Sequence, residues 1–449
     1  MKIRFYKNCR GLVQNFTSWL VAFQAPALYL RKTTKQISAT TVIPVKTKII
    51  FTGGGTAGHV TPNLALIAEL VKDDSIVIEY IGSQNGVERK LVTAAGIVYH
   101  AICCGKLRRY WSVKNFLDPI NILIGIGQSL YLLWRSKATI VWFYRNCQGL
   151  IRYFTKVKRR SLEGDEPWSK TTNQTTATPV ETIIFSKGGF VAFPVVFAAW
   201  ILRIPVIAHE SDFTPGLANR LSFPFVKKIC VTFAAAKTKF KQPQKVVITG
   251  TPIRSTLFHG SYTRGLTYCN FVEHKPCLLI MGGGHGSTVI NACVRQALPQ
   301  LLCKYQIIHL CGPGQLDQTI RDTGYIQIEY ADEILGDLLA VSDVVISRAG
   351  ANSLYELLAL EKPHILIPLS RRVSRGDQLE NAAYFAKQNI STVILEENLT
   401  VETLIHAIAV VMADTALIKT RIKSLNIHSA TECIIALIKS EVYTRYRSF

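Results

Sequence analysis

The run "FTGGGTAGHVTPNLALIAEL" (51–70) sets Gly53, Gly55 and Gly58 in a G-x-G-x-x-G spacing and follows them at once with His59. Glycines at that spacing, between a strand and a helix, free backbone N–H groups to face a phosphate, and the helix N-terminus adds its dipole. A nicotinamide site needs an acidic residue about 20 positions on, at the end of the second strand, for the ribose hydroxyls. Glu79 lies near that distance, but inside "VIEYIGS", where the strand runs on to Gly82 and Ser83. The third glycine of a dinucleotide fold serves close helix–strand packing, and here His59 stands directly after it. An imidazole at the mouth of a phosphate loop suits chemistry near neutral pH. These residues point to a diphosphate near the loop and away from NAD. A second run, "MGGGHGSTVINACVRQAL" (281–298), repeats the design.

Each loop needs a strand before it and a helix after it. Ile49–Phe51 reads as the end of a buried strand, Thr61 as an N-cap, Pro62 as the first helical position, and Asn63 as the start of the helix body. "SIVIEYIG" (75–82) is a second strand, and "ETIIFSKGGFVAFPVVFAAWIL" (181–202) a strand, a glycine turn and an apolar helix. "IPVIAHE", "KKICVTF" and "KVVITG" continue the strands to residue 250. The pattern restarts at "KPCLLIMGGG" and runs on through "YQIIHLCG", "DVVISRAG" and "HILIPL". Strands alternating with helices give parallel sheets, so the fold class is α/β with two Rossmann-like halves, split near 250–256.

The chain has 449 residues and a net charge of +22, which favours a polyanionic partner or surface. Eleven scattered cysteines with no C-x-x-C fit a reducing compartment and give no zinc site. No apolar run has the roughly 18 to 20 residues of a membrane span. Met1–Leu30 resembles a signal peptide only weakly, and the chain reads as cytosolic with attachment to a membrane surface. Two regions interrupt the strand–helix rhythm, residues 1–46 and about 138–180. They share a basic, aromatic element, "FYKNCRGLVQNFT" (5–17) and "FYRNCQGLIRYFT" (143–155), and hold much of the excess positive charge. A basic surface seated on anionic lipid is one reading and solvated charge the plain one. No nucleic-acid motif accompanies the basicity.

Five ordered motifs, "GGGTAGHVTPNLAL", "FSKGGFVAFPVV", "HESDFTPGLANR", "GTPIR" and "SRAGANSLYELLAL…SRGDQLENA", resemble the MurG-type peptidoglycan glycosyltransferases from about residue 47 to about 440. "HESD" and "SRGDQ" are similar to a branch found in Gram-positive and other bacteria. The resemblance implies a GT-B fold, with an acceptor- and membrane-side domain at 47–253 (insertion 138–180) and a UDP-GlcNAc-binding domain at 254–449, whose last helix packs back on the first. It implies inverting transfer of GlcNAc from UDP-GlcNAc to the C4 hydroxyl of the muramyl sugar of lipid I, giving lipid II, at the cytoplasmic face of the inner membrane. It requires no cofactor, though Mg²⁺ could screen the diphosphate, and it leaves room for other cell-wall synthesis proteins as partners.

On that resemblance His59 is the candidate base, and Glu210, ending a buried strand beside His209, is a second. Gly55, Lys187, Gly188 and Gly189 would cradle the acceptor diphosphate, a structural turn being the plain alternative. Thr56, Ala57 and Gly58 would face the donor sugar or a phosphate. Asp212, where other branches have asparagine, would meet the sugar, and Arg254 would neutralise diphosphate. Gly284 stands where the family has a serine on the donor phosphate. His285 could replace that hydroxyl if protonated. Ala331 stands where backbone reads uracil. Ala351, Asn352, Ser353, Leu354 and Tyr355 lead to Glu356, which would bond the ribose diol, and Asp377 and Gln378 match the pair on the GlcNAc hydroxyls. "GKLRRYW" (105–111) and the apolar helix from Ile120 would sit near the lipid. The alternatives are a GT-B enzyme with another lipid acceptor, a UDP-sugar epimerase, and a silent paralogue that binds UDP-sugar or membrane. Gly284 and the insertion between a helix and a core strand are the best support for the last.

Overall fold

The computed structural model describes residues 47–105, 114–137 and 181–446. The 1–46 extension, the 138–180 insertion, the paired 5–17 and 143–155 segments and most of "GKLRRYW" lie outside the described residues.

The first lobe follows the β-α alternation. Its elements are Thr47–Thr52 (β1), Thr61–Leu70 (α1), Ile76–Ser83 (β2), Val87–Ala94 (α2), Val98–Ile102 (β3), Lys114–Lys137 (α3), Glu181–Ser186 (β4), Ala192–Ile201 (α4), Val206–Glu210 (β5), Leu217–Ser222 (α5), Lys228–Val231 (β6) and Val246–Ile248 (β7). The sheet order is β3-β2-β1-β4-β5-β6-β7, all parallel. Helices cover both faces, so the central strands are continuous apolar runs: all of β5 is buried. The order reverses between β1 and β4, where Thr52 pairs with Ser186. The chains after these two strands therefore leave the sheet side by side, which opens a crevice at their C-terminal ends.

The second lobe repeats the plan with Tyr262–Cys269 (α6), Cys277–Met281 (β8), Thr288–Leu301 (α7), Gln306–Leu310 (β9), Tyr325–Ile328 (β10), Leu335–Val341 (α8), Val344–Ser347 (β11), Ala351–Ala359 (α9), His364–Leu366 (β12), Asp377–Ala386 (α10), Thr392–Val393 (β13), Val401–Ala413 (α11), Thr415–Ser424 (α12) and Thr431–Tyr446 (α13). The order is β10-β9-β8-β11-β12-β13, again parallel. Ser347 pairs with Met281, so a second pair of loops leaves together. Helix α13 returns to the first lobe, where Ala430, Ile434 and Ile438 join Ile49, Phe51, Phe185 and Ile207 in one core.

The sequence reading names no strand at β3, β10 or β13. All three are sheet edges. An edge strand has one neighbour and needs a weaker apolar run, and β10 has no fully buried residue. Thr61 is the first helical residue of α1 and not its N-cap, because a 3-10 turn at Ala57–His59 runs into the helix. No described helix is long and apolar enough by itself to cross a membrane.

Candidate functional site

The two crevices face each other across a cleft of about 940 Å³, lined by His59, Glu210, Arg254, Gly284, Glu356 and Arg375 among others. Its chemistry follows from what each loop does with its polar groups.

The first glycine loop is occupied from within. The Gly55 N–H donates to Glu88 Oε2 at 3.1 Å, and the Ser83 N–H and Oγ–H donate to Glu88 Oε1. Glu88 is fully buried. The Gly55 N–H, expected to face the acceptor diphosphate, is held here by a protein carboxylate. Lys187 lines the cleft but is only 2% exposed, and its ammonium donates to His209 Nδ1 at 2.9 Å and to Ser211 Oγ. Gly188 and Gly189 have positive φ of 91° and 81°. A Cβ on Gly189 would lie 2.1 Å from the Gly54 carbonyl oxygen, so glycine here serves loop-on-loop packing. Burial, opposed by the Glu210 carboxylate, lowers the Lys187 pKa to about 8.

His59 ends the 3-10 turn, with Nδ1 sharing a hydrogen bond with Thr56 Oγ1 at 2.9 Å. Nε2 has no hydrogen-bond partner among the described residues. Desolvation, then the positive charges of Lys187 and Arg375, push its pKa down to about 4. The ring is therefore neutral at pH 7, with one nitrogen held and the other free: the protonation state a base requires.

His209 and Glu210 are spent on structure. The Lys187 bond to His209 Nδ1 leaves Nε2–H to donate to the Gly250 carbonyl at 2.8 Å, and burial first, then Lys187, holds the ring neutral. Glu210 Oε1 accepts from the Asp212 N–H, and Oε2 from the Gly216 N–H and Asn219 Nδ2, each at 3.0 Å. Glu210, the second base candidate, lines the cleft, and both its oxygens also clamp the 211–219 loop. Burial, then Asp212, raises its pKa.

The second glycine loop is open. Gly283 and Gly284 are exposed, and the N–H groups of Gly284 and His285 carry no hydrogen bond among the described residues. A Cβ on Gly284 would meet nothing nearer than the Ala57 side chain at 4.0 Å, so the missing serine would point across the cleft. His285 is exposed, and its carbonyl accepts from Gln315. Behind the loop, buried Arg348 donates to Ser287 Oγ at 2.7 Å and pairs with Glu396. The N-terminus of α9 opens beside it, with Gly350 as N-cap and Ala351 buried. Glu356 lies one turn on, with burial raising its pKa against the pull of Arg254. Ser353 lines the cleft, as does Ala331, while Leu354 and Tyr355 point into the core. Arg254 pairs with Asp332 at 2.7 Å and approaches Glu356 at 3.8 Å. It stands beside the carboxylate expected at the ribose, and its ion-pair partners among the described residues are these two carboxylates.

The lobes meet through polar bonds. Asn352 Nδ2 donates to the Gly58 carbonyl at 2.7 Å, and Oδ1 accepts from Ser211 at 2.8 Å, so the Asn352 side chain is not free for donor. Arg375 bridges Asp212 of the first lobe (2.6 Å) and Asp377 of the second (3.3 Å). Asn381 donates to Asp212 and accepts from the Phe213 N–H. Gln378 Oε1 accepts from the Leu369 N–H. Glu88, Ser211, Arg348, Arg375 and Asn381 escaped the sequence reading. Only Arg375 left a signal, as the cation between two acids that "HESD" and "SRGDQ" supply. Glu79, set aside as a ribose ligand, pairs with His100 and Lys48, which hold its carboxyl down at about 2.

The glycosyltransferase family 28 N-terminal domain matches residues 49–160 and 167–231, and the family 28 C-terminal domain matches 277–434. A curated UDP-N-acetylglucosamine–N-acetylmuramyl-(pentapeptide) pyrophosphoryl-undecaprenol N-acetylglucosamine transferase of Legionella pneumophila (strain Paris) is 50% identical over 398 residues, 88% of this chain and 98% of that one. The protein of the same description from Clostridium novyi (strain NT) is 45% identical over 395 residues, 88% and 97%. Among solved structures, Acinetobacter baumannii MurG aligns at a TM-score of 0.59 with 20% identity over 88% of this chain and 99% of that one. The glycotransferase of kitacinnamycin aligns at 0.61 with 14% identity over 89% and 100%. At those identities the structures show the shared GT-B fold.

Proposed function

The chain belongs to glycosyltransferase family 28, and from that premise we propose that it transfers GlcNAc, with inversion, from UDP-GlcNAc to the C4 hydroxyl of the muramyl sugar of pyrophosphoryl-undecaprenol-linked acceptor. The product is lipid II. One observation carries the reading of the site: a neutral imidazole with a free Nε2 faces an open glycine loop and a helix N-terminus across a single cleft.

The donor binds the second lobe. Its diphosphate lies on the free N–H groups at Gly284–His285 and the α9 N-terminus, where backbone dipoles favour negative charge. The ribose diol bonds the Glu356 carboxylate, which Arg254 steadies. Asp377 lies beside the GlcNAc. The acceptor hydroxyl approaches from the first lobe. As its oxygen attacks C1, the new O4–C1 bond forms and the bond from C1 to the β-phosphate oxygen breaks. The hydroxyl proton passes to His59 Nε2, and the electron pair leaves with UDP. The tautomer that serves as base is the one in which Thr56 Oγ1 accepts from Nδ1–H and Nε2 is unprotonated. The backbone charge stabilisation requires no metal.

The enzyme works as a peripheral protein on the cytoplasmic face of the cell membrane. Support comes from the exposed apolar residues Ile120, Leu123, Ile124, Tyr131 and Trp134 of α3 and Trp200 of α4. Amphipathic side chains at an interface bury in the headgroup boundary. A non-catalytic paralogue is the second reading, favoured by the missing hydroxyl at Gly284.

The test is transfer of labelled GlcNAc from UDP-GlcNAc to a short-chain lipid I analogue, with Glu356→Ala beside the parent. Transfer by the parent and loss in the variant are expected. A folded parent that binds UDP-GlcNAc and transfers nothing would overturn the reading in favour of the paralogue.

A further inference from the structure

We propose that Asn352 is a positioning residue, which from the first turn of the donor-side helix α9 fixes the base-bearing turn of the opposite lobe. The proposal rests on the reading of His59 as the base.

Asn352 and Glu356 are four residues apart on α9, so they share one face. Glu356 faces the cleft. Asn352 reaches through it to the other lobe, where its amide hydrogen bonds the carbonyl of Gly58, the residue directly before His59. Its carbonyl end is spent as well, on the Ser211 hydroxyl. Ser211 in turn is held by the buried Lys187 ammonium. The amide is thus clamped at both ends, and there is no slack at Gly58, where a Cβ would lie 3.2 Å from Asn352 Nδ2. The 3-10 turn has no fully buried residue among Ala57, Gly58 and His59, and its other hydrogen bonds are local, to Thr56, Val60 and Thr61. The bond from Asn352 is the tie that registers this turn against the helix expected to carry the donor. A base on a short, partly buried turn needs such a tie, because a 1 Å misplacement of a reacting group costs about 100-fold in rate.

The experiment compares the full chain with Asn352→Ala and Asn352→Asp. The aspartate keeps an acceptor for Ser211 but has no N–H for the Gly58 carbonyl. In both variants kcat is expected to fall by about 10- to 100-fold while KM for UDP-GlcNAc changes by less than about threefold. In a His59→Ala background the same substitutions are expected to cost less than about threefold, because they act through His59. A raised KM at unchanged kcat would make Asn352 a donor contact and overturn the proposal. A full additional loss in the His59→Ala background would overturn it too, as general damage. A readout independent of transfer is the titration of the His59 ring by NMR. Its midpoint is expected to rise in Asn352→Ala toward the ordinary value of about 6.5 as the turn loosens. An unmoved midpoint overturns the proposal even if the acceptor chosen is wrong. A parent that titrates as expected but transfers nothing refutes the functional reading alone.

Discussion

The two glycine loops read alike, "TGGGTAGH" and "MGGGHGS", and do different work. In the first lobe the Gly55 N–H is bonded to the Glu88 carboxylate. In the second, the N–H groups of Gly284 and His285 are open to the cleft. The first loop has taken an anion from its own chain, and what remains for it is to hold the His59 turn still. The second keeps these N–H groups free of partners among the described residues. A strand–glycine–helix unit offers N–H groups at a switch point, and the side chains of neighbouring helices decide whether a ligand can use them.

The largest effect that would break this contrast lies at His59. His59→Ala is expected to lower kcat by roughly 100- to 10,000-fold while UDP binding stays intact, as steady-state kinetics with calorimetry would show. Equal loss of UDP binding would move donor contacts to the first loop. Next comes Glu88→Ala, which strands the Gly55 and Ser83 N–H groups in a buried site. It is expected to destabilise the protein by about 1–3 kcal/mol in urea unfolding. A neutral result would mean that the loop does not need its internal anion. Gly284→Ser is smaller and opposite in sign. The position has open space and a backbone that accepts a side chain. The added hydroxyl is expected to tighten UDP-GlcNAc about 2- to 10-fold by titration, the value of one net hydrogen bond. Weaker binding would mean that the diphosphate lies elsewhere.

The pH profile sharpens the first half of the contrast. The His59 pKa is lowered from 6.5 to about 4, so folding favours the neutral ring. That contribution to stability is complete above pH 6.5 and is lost as pH falls toward 4. The same sign keeps the base active: kcat/KM, which reports the free enzyme, is expected to stay nearly flat from pH 7 to 5.5. A histidine at its ordinary pKa would lose roughly tenfold over that range.

The strand–loop–helix repeats were legible because a doubly covered parallel sheet writes long apolar runs, and His59 was legible because its place after the glycines is local. Glu88 and Ser211 were not, and Asn352 was legible only as part of the donor segment, not in its bond across the cleft. Each acts on a group 33, 24 or 294 positions away in the chain, and no spacing rule reaches that far. The internal bonds of Glu210 and Lys187 were hidden for the same reason. Charge at the end of a parallel strand marks a site, but only the fold tells whether the charge faces the ligand or the loop beside it. Asp212 and Asp377 read as sugar contacts one at a time, and Arg375 joins them only when the lobes face each other.

The most direct test of the central claim is an amide NMR titration of the ¹⁵N-labelled protein with UDP-GlcNAc. The account expects large shifts at the Gly283, Gly284 and His285 amides and none at Gly55. A shift at Gly55 with displacement of the Glu88 carboxylate, and none at Gly284, would contradict it.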